Sequence, residues 1–166
     1  MGWSIEMLRR LTDGGVDYVL IGGVAANAHG SAIHTDDLDV FAPLSHENVL
    51  AIVRAFSGTH LRWRHRPDLP VITPDDPLLS GLKNMYLQCD LGQLDVLGEL
   101  PEVGSYPEVA AASVEIDVRG FRCRVINLDS LIALKRTVGR EKDLLVAREL
   151  ELIRSILDRR KSEGNA

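Results

Sequence analysis

Cysteine is scarce, and so is any long run of apolar residues. The chain has two cysteines in 166 residues, Cys89 and Cys123, and no C-x-x-C pair. That argues against a zinc knuckle or a disulfide framework and for two reduced thiols on strands, in a reducing cytoplasm. No stretch approaches the roughly 18–20 apolar residues that a membrane span requires. Residues 1–15 carry Glu6, Arg9, Arg10 and Asp13 and no apolar core, so a secretory leader is not expected. Glu6 stands where a myristoylation signal needs Ser or Thr. The five histidines show no metal-ligand spacing, although His34 lies near acidic residues. A G-x-S-x-G elbow, a Walker loop and a dinucleotide fingerprint are all missing. The net charge of −5 makes the chain a poor general nucleic-acid binder, yet Arg62, Arg64, His65 and Arg66 cluster locally.

What is present suits an α/β fold with a mixed sheet and flanking helices. With 45% hydrophobic and 26% charged residues, the chain can bury one core. One domain over residues 1–160 is expected, with a polar tail fraying from residue 161. Residues 3–13 read as a helix closed by Gly14-Gly15, and Asp17–Ile21 as a buried strand. Val24–His29 reads as a short helix and Asp37–Phe41 as a second strand. Ser45 is placed to cap a helix whose Val49, Ile52, Val53 and Phe56 share a face. Arg62–Pro70 can hold a strand, but four prolines between residues 67 and 77 favour loop. Asn84–Cys89 and Gln93–Leu97 form one expected hairpin, and residues 113–126 form another turning at Arg119-Gly120. Residues 106–112 and Leu128–Thr137 read as helices. A longer one spans Arg140–Arg159, with Val146, Leu150, Ile153 and Leu157 as its apolar stripe.

The chemistry gathers at two places. Asp37 and Asp39 lie at i and i+2 on a strand, so both carboxylates share one face. Two such groups repel unless a cation sits between them, and hard, oxygen-seeking Mg²⁺ is the natural partner. Upstream, a strand runs into Gly22-Gly23 and then a helix, which offers backbone N–H groups to a phosphate. Lys135 falls on the same stripe as Leu128, Leu131 and Ile132. A lysine there either snorkels to the rim or meets an anionic ligand. Asp143 opens the last helix, where a carboxylate also complements the helix dipole.

Taken together, an apolar strand, Gly22-Gly23, thirteen intervening residues and Asp37-Leu38-Asp39-Val40 resemble the signature of the DNA polymerase β-like nucleotidyltransferase superfamily. The run Leu131-Ile132-Ala133-Leu134-Lys135 followed by Gly139-Arg140-Glu141-Lys142-Asp143 resembles its AbiEii-type and minimal members, several of which are toxin or antitoxin components. The resemblance covers roughly residues 16–41 and 93–155, and residues 57–92 take no part. It implies a nucleotidyltransferase fold and a third carboxylate on a later strand. Asp90, in a turn, and Glu99, past Gly98, fit that role less well than Asp95 at mid-strand. The implied metal ligands are then Asp37, Asp39 and Asp95, holding two Mg²⁺, with Gly22, Gly23, Thr35, Lys135, Arg140 and Asp143 around an NTP. The implied reaction moves NMP to a hydroxyl on RNA such as tRNA, on a protein or on a small molecule, with a cognate toxin or antitoxin as possible partner. The alternative is a non-catalytic antitoxin or partner-binding module on the same fold. Two positions depart from the pattern: Gly23, where many relatives have Ser, and Ile33, where many have Arg.

Overall fold

The computed structural model describes Gly2 to Gly164. Its centre is a seven-stranded mixed sheet in the order β3-β4-β5-β2-β1-β7-β6. The strands are β1 (Val19–Ile21), β2 (Asp37–Phe41), β3 (Arg62–Trp63), β4 (Asn84–Cys89), β5 (Gly92–Leu97), β6 (Val114–Val118) and β7 (Phe121–Val125). Both expected hairpins form, β4–β5 and β6–β7. They attach to opposite sides of the antiparallel β1–β2 pair through parallel ladders, β5 to β2 and β7 to β1.

Alternation along the strands separates core from site. Leu38, Val40, Met85, Leu87, Leu94 and Val96 are fully buried, while Asp37, Asp39 and Asp95 occupy the alternate positions and the opposite face. Helices α1 (Gly2–Asp13) and α3 (His46–Ala55) pack against each other, and α1 lies on β2 and β7. Met7, Leu8 and Leu11 meet the core from α1, and Val49, Ile52 and Val53 from α3. Helix α2 (Gly22–Ala28) lies on β1 and β2 and also contacts α5 (Leu128–Val138), which packs on α6 (Glu141–Gly164). Helix α4 (Tyr106–Ala112) opens with a Ser105–Glu108 capping box.

Three elements differ from the sequence reading. Helix α2 starts at Gly22, two residues early, because the chain turns into the helix directly from β1. Only Arg62–Trp63 of the 62–70 stretch pairs as a strand, since the prolines that follow cannot continue a ladder. Along α6, Val146 and Leu150 are buried but Leu157 is 42% exposed. An 11-residue α5 reaches about 16 Å, so it covers only the first part of the 24-residue α6. Of the tail from residue 161, Lys161–Gly164 continue α6, and Asn165 and Ala166 lie outside the described residues. No helix among the described residues is long and apolar enough to cross a membrane. Cys89 and Cys123 are buried free thiols on β4 and β7.

Asn48 ties this frame together. Buried in the first turn of α3, it accepts from the Asp17 N–H at 2.9 Å and donates to the carbonyls of Asp17 at 3.0 Å and Pro43 at 2.8 Å. It thus joins the approach to β1 to the exit from β2, the two strands that frame the site. Asn48→Ala leaves three backbone groups without their partner. It is expected to destabilise the protein by about 2–4 kcal/mol in chemical denaturation, with little change in m-value.

Candidate active site

Strands β2 and β5 run parallel with Asp39 directly opposite Asp95, and Asp37 lies one pleat along on the same face. One carboxylate oxygen from each of the three aspartates lies within 4.8 Å of the others. Hydrophobic neighbours flank each acid on the opposite face, so the strands bury firmly and hold the acids where mutual repulsion would otherwise separate them.

The electrostatics record that crowding. Burial, then the charges of Asp37 and Asp95, push Asp39 up to about 7, while Lys135 and a hydrogen bond from the Gly23 backbone N–H pull it down. Three carboxylates this close, one of them holding its proton to near neutrality, form a donor set that could bind a metal ion.

The glycine pair is fitted to this cluster. Gly22 has φ +66°, and a Cβ there would sit 2.0 Å from the Asp39 carboxylate oxygen. At Gly23 a Cβ would fall 2.5 Å from the Thr35 side chain. Thr35 therefore occupies the room that a serine at position 23 would need. Its own hydroxyl donates to Asp37 Oδ1 at 2.8 Å, steadying a carboxylate of the cluster. The segment carrying Thr35 is pinned from two sides. Asn27 donates to the carbonyls of Ser31 and Ile33, both at 2.9 Å. Glu149 of α6 accepts from the Ser31 hydroxyl and, at 3.0 Å, from the Ala32 N–H. Ile33 packs partly against the core.

A cleft of about 340 Å³ opens over the acids. It brings together Gly23, Thr35, Asp37, Asp39, Asp95, Lys135, Arg140 and Asp143, and Gly22 stands directly behind Asp39. His34 and Lys142 line it as well, and His34 is paired with Asp36 at 2.8 Å. Lys135 does reach off its apolar stripe, to Asp143 Oδ1 at 2.7 Å, and Arg140 Nε meets the other oxygen at 2.7 Å. Burial raises Asp143, but the hydrogen bonds and charges of Lys135 and Arg140 outweigh it and hold the carboxyl below its ordinary range. One buried carboxylate thus aims two cations at one wall of the cleft.

The residue that sequence reasoning missed is Arg64. Its Nη2 donates to Asp95 Oδ2 at 2.9 Å and Nη1 to Gln93 at 2.8 Å, and its guanidinium stacks 5.6 Å from the Tyr86 ring centroid. The same Nη2 lies 2.7 Å from Asp95 Oδ1, so the guanidinium sits against both oxygens of that carboxylate. The signal for Arg64 was the basic cluster at residues 62–66, but nothing in that run said which side chain turns inward.

Two outcomes test this geometry. Because the folded protein holds a proton on Asp39 that the unfolded chain releases near pH 4, the unfolded state binds fewer protons between about pH 4 and 7. Asp39 therefore lowers the stability of metal-free protein as pH rises through that window, with no further change above it. Denaturant titrations across pH should show this component in wild type and lack it in Asp39→Asn. Separately, Gly23→Ser should cost about 1–3 kcal/mol by overpacking, and adding Thr35→Ala should recover most of that loss, a coupling read by a double-mutant cycle in thermal denaturation.

No protein-family model matches the sequence, and no curated protein matches it. Solved structures do. A Thermotoga maritima protein described as a candidate nucleotidyltransferase superimposes with a TM-score of 0.52 at 16% identity, covering 92% of this chain and 89% of its own. The antibiotic-resistance factor ANT(2'')-Ia in solution gives 0.53 at 14% identity, covering 96% and 91%. The same factor crystallised with adenylyl-2''-tobramycin gives 0.50 at 15% identity, covering 94% and 95%. Similarity at this level of identity extends over nearly the whole of each chain, and on it the protein has the nucleotidyltransferase fold.

Proposed function

We propose that this chain is a Mg²⁺-dependent nucleotidyltransferase that transfers NMP from an NTP to a hydroxyl acceptor. The observation that carries the reading is the three-carboxylate cluster of Asp37, Asp39 and Asp95, facing the Lys135–Asp143–Arg140 wall across one cleft. The shared fold with nucleotidyltransferases supports it. So does the clustering of Lys135, Arg140 and Asp143, the residues on which the AbiEii-type resemblance rests.

In this reading the three aspartates would hold two Mg²⁺, which when bound would supply charge neutralisation at the triphosphate and a more acidic acceptor hydroxyl. Lys135 and Arg140, oriented by Asp143, bind the β- and γ-phosphates, and the Gly22-Gly23 turn lets the triphosphate approach the backbone. Thr35 fixes Asp37. The acceptor oxygen bonds to the α-phosphorus, the α–β bridging bond breaks, and pyrophosphate leaves with the bonding electrons. Asp95, on the side of the cluster away from Lys135 and Arg140, is the carboxylate assigned to take the hydroxyl proton. Catalysis is mostly positioning and charge compensation. The acceptor classes compatible with this chemistry are an RNA end such as that of tRNA, a protein hydroxyl, or a small alcohol of the kind adenylylated in the tobramycin complex. A toxin–antitoxin role belongs to the first two.

Calorimetric titration of each NTP, with and without Mg²⁺, tests the site. Wild type should bind at least one NTP only with Mg²⁺, and Asp37→Asn/Asp39→Asn should lose that binding while keeping its circular dichroism spectrum. In a transfer assay, Asp39→Asn should lower turnover by at least about a thousandfold. Metal-independent binding, or none in any condition, would favour a non-catalytic partner-binding module.

A further inference from the structure

The catalytic row does not stop at Asp95. Across the sheet, Asp39 of β2 faces Asp95 of β5, and Asp95 faces Tyr86 of β4. Directly opposed residues put their side chains on one face with Cβ atoms about 4.5–5.5 Å apart. Beyond Tyr86 the Arg64 N–H donates to its carbonyl at 2.9 Å, so Arg64 prolongs the row. On the far side of Tyr86 lies a second hollow of about 270 Å³, lined by Trp63, His65, Leu69, Leu82 and Tyr86, with Arg66 at its rim. Tyr86 is 38% exposed, and the His65 ring meets it edge-on at 5.7 Å.

We infer that this hollow receives the acceptor, and that the acceptor is a nucleotide: a ribose hydroxyl carried between a base and a phosphate. This rests on the proposed nucleotidyl transfer. The donor wall of Lys135 and Arg140 lies on one side of the acids, which leaves the Tyr86 side for the attacking hydroxyl. The lining is apolar and aromatic, suited to one planar ring system. Its charged groups are Arg66 and, when protonated, His65, with Arg64 beside Tyr86; Asp68 pairs with Arg66 at the rim. Among the described residues no carboxylate lines the hollow; Asp68 at its rim is held by Arg66, and Asp95, on the other side of Tyr86, by Arg64. A polycationic amino-sugar finds no partner there, whereas a base can stack and its phosphate can meet a guanidinium.

The test separates acceptor from donor. Mg²⁺-dependent NTP binding is first measured on each variant, which reports on the donor site alone. With that site saturated by a non-hydrolysable NTP and Mg²⁺, Trp63 fluorescence is titrated with 5′-AMP, with a short single-stranded oligoribonucleotide, and with tobramycin, using Trp3→Phe protein to isolate the signal. Quenching by AMP or by the oligoribonucleotide is expected. Tyr86→Ala should weaken it about five- to a hundredfold, the range of one base–aromatic stack, and Tyr86→Phe should restore it. Saturation by AMP would identify free nucleotides as the source, and binding by the oligoribonucleotide alone would identify an RNA end. Tobramycin binding that displaces nucleotide, no nucleotide binding, or Tyr86→Ala without effect would overturn the inference. If NTP fails to bind but the hollow still takes nucleotide in a Tyr86-dependent way, the transfer reading falls and the nucleotide site stands.

Discussion

Repulsion among three carboxylates is the constraint around which the molecule is arranged. Asp37, Asp39 and Asp95 would separate in a free chain, and the in-register parallel pairing of β2 with β5 prevents it. That pairing is held by burial on the other face, where Leu38, Val40, Leu94 and Val96 are completely enclosed. Each fully buried aliphatic side chain contributes about 1.5–3 kcal/mol, so the sheet can sustain an unfavourable cluster on its open side. Burial first, and then the charges of Asp37 and Asp95, drive Asp39 up to about 7.

Around the cluster, each second partner answers a local electrostatic need. The Thr35 hydroxyl serves Asp37, the Gly23 N–H serves Asp39 and the Arg64 guanidinium serves Asp95. The three come from different elements: the pinned loop before β2, the start of α2 and the turn just after β3. Asp143 performs the mirror task on the opposite wall, where one carboxylate neutralises two cations and keeps both near the cleft.

Much of this was legible in the sequence because period and charge agreed. An acid pair at i, i+2 inside an apolar strand shares one face, and a lysine in a leucine stripe must either snorkel to the rim or meet an anion; Lys135 meets Asp143. Asp95 was legible once the family resemblance implied a third carboxylate, because it stands mid-strand between Leu94 and Val96 whereas Asp90 lies in a turn. Arg64 was not, because β3 is two residues long in a proline-rich stretch and has no periodicity to say which side chain turns inward. The exchange of side chain between positions 23 and 35 was also hidden. Read singly, Gly23 looks like a loss; its compensation is a contact across a bend that spacing alone does not describe. Leu157 continues a correct helical period, but periodicity does not say where the neighbouring helix ends.

The β2–β5 ladder also works as a seam. The Gly22–Gly23 turn, Thr35 and the Lys135–Asp143–Arg140 wall come from chain segments 16–41 and 128–143, and Arg64 and Tyr86, lying beyond Asp95, come from residues 62–86, the stretch that takes no part in the family resemblance. Between them runs the five-residue pairing of β2 with β5, with Asp39 facing Asp95. A sheet divided in this way lets the outward side chains of β3 and β4 vary without touching the Lys135–Asp143–Arg140 wall, Arg64 excepted, since it holds Asp95. Lineages built on such a seam can rewrite one edge of a sheet independently of the other, and grafting residues 57–91 with Arg64 retained is the corresponding route for a protein engineer.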